Sequence, residues 1–334
     1  LHRPLLEQDR CLRAEQAPPP YRWRQIILGR LGQPACLQRD QARRVHADTD
    51  IDERAASEVA GHRVGVRPLR GAGEYPMNTS AEDLRVLVTA GAAGIGRAIA
   101  AAFEAAGARV FVCDVDAAAL AAMRERHPGI PGTLTDVADP KSVDTMFDKA
   151  VECLGGLDVL VNNAGIAGPT KKVEDIGIDE WERTIAVDLN AMFYCIRRAV
   201  PLLKQAGGGS IINLSSIAGR LAYPLRSPYA AAKWGVIGLT KSLAAELGPS
   251  NIRVNAILPG VVEGERVDKV VEARAAARGV SFAEAMAQFV APVSLRRMVQ
   301  ADDIANMALF VATAAGRNIS GQALSVCGDH GYLA

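Results

Sequence analysis

From Leu84 onward, short apolar runs alternate with longer amphipathic segments, and this alternation limits what the chain can fold into more than any other feature. Residues 85–89, 109–113, 157–161, 210–214, 252–258 and 322–326 read as strands. Between them, 95–106, 140–154, 178–205, 229–247 and 301–314 read as helices. A short strand around Thr133 brings the strand count to seven. Strands that alternate with helices form βαβ units, so the expected fold is α/β. It is a single Rossmann-like domain, a doubly wound parallel sheet with helices on both faces. In such a sheet, ligands bind beyond the carboxyl ends of the strands, which makes the residues just after each strand the ones to examine.

The stretch upstream differs in composition. Residues 1–76 contain 13 Arg but no Lys, and 7 Pro but no Met, whereas all seven methionines lie from Met77 onward. They are read as a disordered leader or a mis-set gene start, which leaves 77–334 as the folded domain. Ten acidic residues and the lack of an apolar core segment argue against a targeting peptide there. The formal charge of +1 points to no nucleic-acid partner, and no apolar run is long enough to span a membrane. The six cysteines are scattered without paired metal-ligand spacing, so no metal site is expected. Free thiols suit a reducing compartment, and the expected location is the cytoplasm.

The first strand runs into Thr89, Ala90, Gly91, Ala92, Ala93, Gly94, Ile95 and Gly96, at the start of a helix. Glycines here let the backbone approach a pyrophosphate, and the helix N-terminus supplies amide donors. The second strand ends at Asp114, 18 residues beyond Gly96. A carboxylate there accepts hydrogen bonds from adenosine ribose hydroxyls and repels a 2′-phosphate. With no Arg or Lys at Ala93 or Val115, NAD is favoured over NADP as the cofactor. Asp116 reads as a solvated turn carboxylate.

Ser227, Pro228 and Tyr229 read as a helix cap, a proline at the first helical position and then the tyrosine, which places Tyr229 and Lys233 on one helical face. A tyrosine is a weak base with its unperturbed pKa of roughly 10. A fixed ammonium and an oxidised nicotinamide beside it favour the phenolate, so the pair can move a proton.

Taken in order, Thr89 to Gly96, Asp114, Asp136-Val137, Asn162-Asn163-Ala164-Gly165, Ser216, Tyr229-x3-Lys233 and Pro259-Gly260 resemble the short-chain dehydrogenase/reductase family over 77–334. The resemblance implies an NAD-binding oxidoreductase acting on a CH–OH group. Ser216 would hold the substrate oxygen, with Ser215 its structural neighbour. Tyr229 would exchange the proton, and Lys233 would hold the nicotinamide ribose. Asp136 would lie against the adenine with the amide of Val137. Asn163, Ala164 and Gly165 would line the central strand end, where a structural role for Asn163 is as good a reading as a cofactor contact. Pro259, Gly260 and Val262 would complete the nicotinamide side.

Three positions depart from the family pattern. Ala90 replaces the first glycine of the turn, which is tolerable if its φ is negative. Asp188 replaces the catalytic asparagine and brings a negative charge near Lys233. Gly264 replaces a threonine, whose contact the amides of Val261 and Val262 would have to make.

A substrate lid is expected at about 262–298, where the Ala-rich, charged stretch 267–290 suits a small polar substrate such as a sugar, polyol or hydroxy acid. In the loop before Tyr229, Arg220, Tyr223 and Arg226 would recognise a carboxylate, sulfonate or polyol, or the arginines would form ion pairs between subunits. The partner is therefore a small-molecule alcohol or ketone, and the family implies a homotetramer. The competing readings are a 3-oxoacyl-[acyl-carrier-protein] reductase-like enzyme and a non-catalytic cofactor-binding regulator.

Overall fold

The computed structural model describes residues 79–331. The leader 1–76, with Cys11 and Cys36, and Met77 lie outside the described residues.

Among the described residues, seven strands form one sheet in the order β3-β2-β1-β4-β5-β6-β7, every pair parallel. They are β1 (Arg85–Thr89), β2 (Arg109–Asp114), β3 (Gly132–Leu134), β4 (Val159–Asn162), β5 (Gly209–Leu214), β6 (Ile252–Pro259) and β7 (Ala323–Val326). Because β1 pairs with β2 on one side and β4 on the other, the winding reverses there, and a crevice opens at the carboxyl ends of β1 and β4.

The strands are apolar on both faces because both faces are covered. Leu87 packs with α3 (Pro140–Leu154), α5 (Ala191–Gln205) and α6 (Ser227–Leu247). Its neighbours Val86 and Val88 point the other way, against α1 (Gly94–Ala105) and α9 (Ala301–Ala312). Phe147 on the first side and Phe103 on the second are almost fully buried, and truncation of either to alanine costs about 3–5 kcal/mol. Among the described residues, no helix is long and apolar enough to cross a membrane.

Three helical regions differ from the sequence reading. The helix α2 (Ala117–Arg126) was not expected, since its alanine-rich sequence buries only Met123 and shows no apolar stripe. Asp116 is its N-cap, accepting from the amides of Ala118 and Ala119, rather than an uncommitted turn carboxylate. The helical stretch 178–205 is a rod in which α4 (Ile178–Ile185) and α5 are joined by a π turn at Ala186–Asn190. In α6 the capping position falls on Arg226, whose carbonyl accepts from the amide of Ala230, so Ser227 is the first helical residue and not the cap.

The lid segment holds α7 (Glu265–Arg278) and α8 (Phe282–Val290). Val271, Ala275 and Ala285 make a small core of their own between these two helices. Val262 bridges Val299 at the entry to the segment, and Val293 bridges His330 at its exit.

Across the amino ends of β1 and β4, Arg85 donates to Asp158 through Nε at 2.7 Å and Nη2 at 2.9 Å. Burial alone would raise the Asp158 carboxyl. The side-chain and backbone hydrogen bonds of Arg85, with its charge, outweigh that and hold it below the usual carboxylate range. A carboxyl depressed in the folded state contributes stability above its unfolded pKa and loses it as pH falls through the folded value. Asp158→Asn is therefore less stable than the unsubstituted protein at neutral pH. That gap narrows in urea unfolding only below about pH 4.

Candidate active site

The turn after β1 is shaped for close approach. A Cβ on Gly91 would lie 2.6 Å from Cγ1 of Val112, so the turn packs directly on β2. Gly94 has φ +51 and nothing within 4 Å of where its Cβ would be. It begins α1, whose capping residue Ala93 contributes no side-chain hydrogen bond. Ala93 offers the first-turn amides of α1 no side-chain acceptor, and such a helix start fits a pyrophosphate.

Ala90 has φ +48, so the condition of a negative φ does not hold. An L-residue in the left-handed region costs roughly 1–2 kcal/mol, and neighbouring bonds hold it there. Asn163 Nδ2 donates to the carbonyls of Thr89 and Ala90, each at 3.0 Å, while Thr89 Oγ1 accepts from the amides of Asn163 at 2.9 Å and Ala164 at 3.0 Å. Asn163 is therefore a strut between the ends of β1 and β4. Asn162 beside it donates to Asn213, which donates to Thr240, a buried polar chain that links β4, β5 and α6.

Asp114 is buried at the end of β2. One carboxylate oxygen accepts from the amide of Ala92 at 3.1 Å, and the other from the amide of Asp116 at 3.2 Å. The side chain is thereby fixed against the glycine turn, with lone pairs left on both oxygens. Asp136 accepts from the amide of Ala138 and pairs with Arg183 of α4 at 3.3 Å, and Val137 is buried behind it.

The second group of residues surrounds the first turns of α6. Lys233 is buried, with Nζ 3.2 Å from the Leu214 carbonyl to which it donates and 5.5 Å from the centroid of the Tyr229 ring. Ser215 Oγ donates to the Lys233 carbonyl at 2.8 Å. That bond fastens the end of β5, and hence Ser216, to the helix turn that carries Lys233. Ser216 Oγ accepts from the amide of Ala218 and caps the short turn Ile217–Gly219.

Asp188 sits in the π turn, fully buried, and Oδ1 accepts from the amide of Ile166 at 2.7 Å. A methyl group on Gly165 would lie 3.1 Å from that oxygen and 3.2 Å from Lys233 Nζ, so carboxylate and ammonium flank the same point. Turns of this kind inside α-helices recur where a side chain is aimed at a functional site.

Pro259 ends β6, and the amide of Gly260 donates to Val326. A Cβ on Gly260 would meet Cys327 Cα at 2.7 Å, which explains the glycine. Beyond it, the Val261 carbonyl accepts from Val299 and the amide of Glu263 donates back to Val299. Gly264, at φ +148, occupies a backbone conformation that a threonine would strain.

Arg220 and Arg226 differ from each other. Arg220 is exposed and donates to Ser325 Oγ and the Ala323 carbonyl of β7. Arg226 lies over both the Tyr223 ring, at 5.0 Å, and the Tyr229 ring, at 5.2 Å, and Nη2 donates to the Ala167 carbonyl. The thiol of Cys113 below the turn is pushed up to about 12, chiefly by burial, and burial also raises that of Cys195. Both thiols are buried and stay protonated at neutral pH.

Thr89 was read as part of the turn, but its hydrogen bonds to β4 and the Asn213–Thr240 link escaped the sequence reading, because a strand-end threonine and a mid-helix threonine carry no local signature of such roles. The strut role of Thr89 becomes visible only once β1 and β4 are adjacent.

A family profile described as enoyl-(acyl carrier protein) reductase matches residues 90–332. "Probable galactose dehydrogenase GalD" of Rhizobium meliloti (strain 1021) is 37% identical over 251 residues, covering 74% of this chain and 94% of that one. D-beta-hydroxybutyrate dehydrogenase of the same organism is 33% identical over 255 residues, covering 74% and 98%. The chain belongs to the short-chain dehydrogenase/reductase family. A solved family structure, a variant actinorhodin polyketide ketoreductase with NADPH, superposes with a TM-score of 0.71 at 32% identity, covering 75% of this chain and 98% of that one. As a short-chain dehydrogenase/reductase the protein is an oxidoreductase of a family that binds a nicotinamide cofactor, and the glycine turn with its uncapped helix fits that group.

Proposed function

We propose that the protein interconverts a small polar secondary alcohol and its ketone, with NAD as the preferred cofactor. The observation that carries this reading is the buried Lys233 ammonium beside the Tyr229 ring, on a helix tied to the strand end that bears Ser216. A bound nicotinamide supplies or takes the hydride. Ser216 holds the substrate oxygen, and the Tyr229 hydroxyl gives that oxygen a proton in reduction or takes one in oxidation. Lys233 holds the nicotinamide ribose and keeps a positive charge beside the phenol. Asp188 fixes the strand-end loop through the Ile166 amide and sets the charge balance around Lys233.

Gly91, Gly94, Ile95 and Gly96 hold the pyrophosphate. Ala90, Asn163, Ala164 and Gly165 line the crevice, and Asp136 with Val137 walls the adenine side. Pro259, Gly260 and Val262 border the nicotinamide. NAD is favoured by Asp114, whose oxygens are fixed toward the turn and would repel a 2′-phosphate. The half-exposed Phe193 of α5 and Trp234 of α6 suit subunit contacts in a homotetramer, and a cytoplasmic enzyme fits its free thiols.

The preference is checked by titrating the protein with NADH and NADPH and following nicotinamide fluorescence. NADH binds at least tenfold more tightly on this account, and tighter binding of NADPH contradicts it. A thioester reductase is the second reading, supported by the description of the matching family and by the ketoreductase fold neighbour with its NADPH. NADPH preference together with turnover of a 3-oxoacyl thioester would establish it.

A further inference from the structure

We infer that the substrate carries a carboxylate and that Arg226 is the residue that holds it, an inference that rests on the alcohol/ketone reading above and names its substrate class. Arg226 is half-buried at the start of α6, three residues before Tyr229. Its guanidinium lies against the ring of the proton-transferring tyrosine, 5.2 Å from the centroid, and against Tyr223 at 5.0 Å. The Ala167 carbonyl, which accepts from Nη2, belongs to the loop that follows β4, so the cation stands at the carboxyl edge of the sheet between two loops that border the crevice.

The charges around it set its specificity. Among the described residues Arg226 is in no ion pair, and its buried Nε has no protein hydrogen-bond partner. Three acidic groups on the elements around the crevice are committed elsewhere: Glu180 of α4 to Lys171, Asp136 to Arg183, and Asp188 to the Ile166 amide on the Lys233 side of the site. A cation withdrawn from water and lacking a counter-charge is costly, and a planar guanidinium is built to take a carboxylate. Arg220, spent on β7 and exposed, cannot compete for that role. A hydroxy acid, or the matching keto acid, places its carboxylate on Arg226 while its carbinol oxygen reaches Tyr229 and Ser216. Neutral sugars and polyols lack that anchor.

Calorimetric titration of the NADH-loaded protein with butanoate and with butanamide, two probes without a reactive hydroxyl, tests this without turnover. Butanoate binds the unsubstituted protein roughly 10- to 100-fold more tightly than butanamide, and Arg226→Met abolishes that preference while NADH affinity is retained. Arg226→Lys, which keeps the charge but not the fork, retains part of it. Equal binding of the two probes to the unsubstituted protein overturns the inference. An undiminished butanoate preference in both variants also does, as does loss of NADH binding in both, which would make Arg226 a clamp for the loops. Butanoate binding needs no turnover, so absence of turnover by the unsubstituted protein would count against the dehydrogenase reading and leave the carboxylate result standing on its own.

Discussion

Tyr229→Phe lowers kcat by roughly 10²–10⁴-fold and leaves nucleotide affinity unchanged. The substitution removes one oxygen, the only group on that ring that can pass a proton to the substrate, and general acid/base catalysis is worth about that range. The ring keeps its edge-to-face contact with Tyr223 and its place beside Lys233 and Arg226, so the helix start should be undisturbed. Steady-state rates at saturating substrate, set beside a nicotinamide titration of the same preparation, separate the two effects. Undiminished turnover in Tyr229→Phe would move the proton transfer to another group and contradict the assigned role of the tyrosine.

Gly96→Ala has the second large effect, and it acts through shape. The added Cβ would lie 2.0 Å from the Ala90 carbonyl oxygen and 2.5 Å from Asn163 Nδ2. The first of these is backbone, and the second is the strut that holds the left-handed Ala90 in place, so neither can step aside without loosening the turn. Overpacking of this kind typically costs 1–3 kcal/mol. In a domain of this size that corresponds to a fall in Tm of roughly 2–12 °C. Nucleotide affinity falls with it, because the displaced turn is the proposed pyrophosphate cradle. Thermal unfolding and a nicotinamide titration measure both, and a variant that matches the unsubstituted protein in each would show that α1 does not pack as closely as described.

The winding of the sheet was legible in the sequence because strands covered on both faces are apolar throughout and stand out between amphipathic helices. The strand bounds 85–89 and the helix bounds 140–154 agree with the structure to the residue. Recognition failed where burial is slight or where a backbone angle decides. The helix at Ala117–Arg126 lies on the surface with one buried side chain and sends no periodic signal. Ala90 was expected to tolerate its position through a negative φ, yet the turn forces +48, a property of tertiary packing that no residue list contains. The start of α6 is offset by one residue because a serine before a proline resembles a cap, while the chain turns into the helix at Arg226. The chemistry of the candidate site was readable as an ordered set of residues. The contacts of Arg226 with two tyrosine rings depend on the fold of the 220–226 loop and were not.

The most direct test of the account is reduction of NAD and of NADP, followed by nicotinamide absorbance, across hydroxy acids, sugars, polyols and 3-hydroxyacyl thioesters. NAD-linked oxidation of a small secondary alcohol, fastest with a hydroxy acid and dependent on Tyr229, is the predicted result. Turnover confined to NADP and a thioester would contradict it.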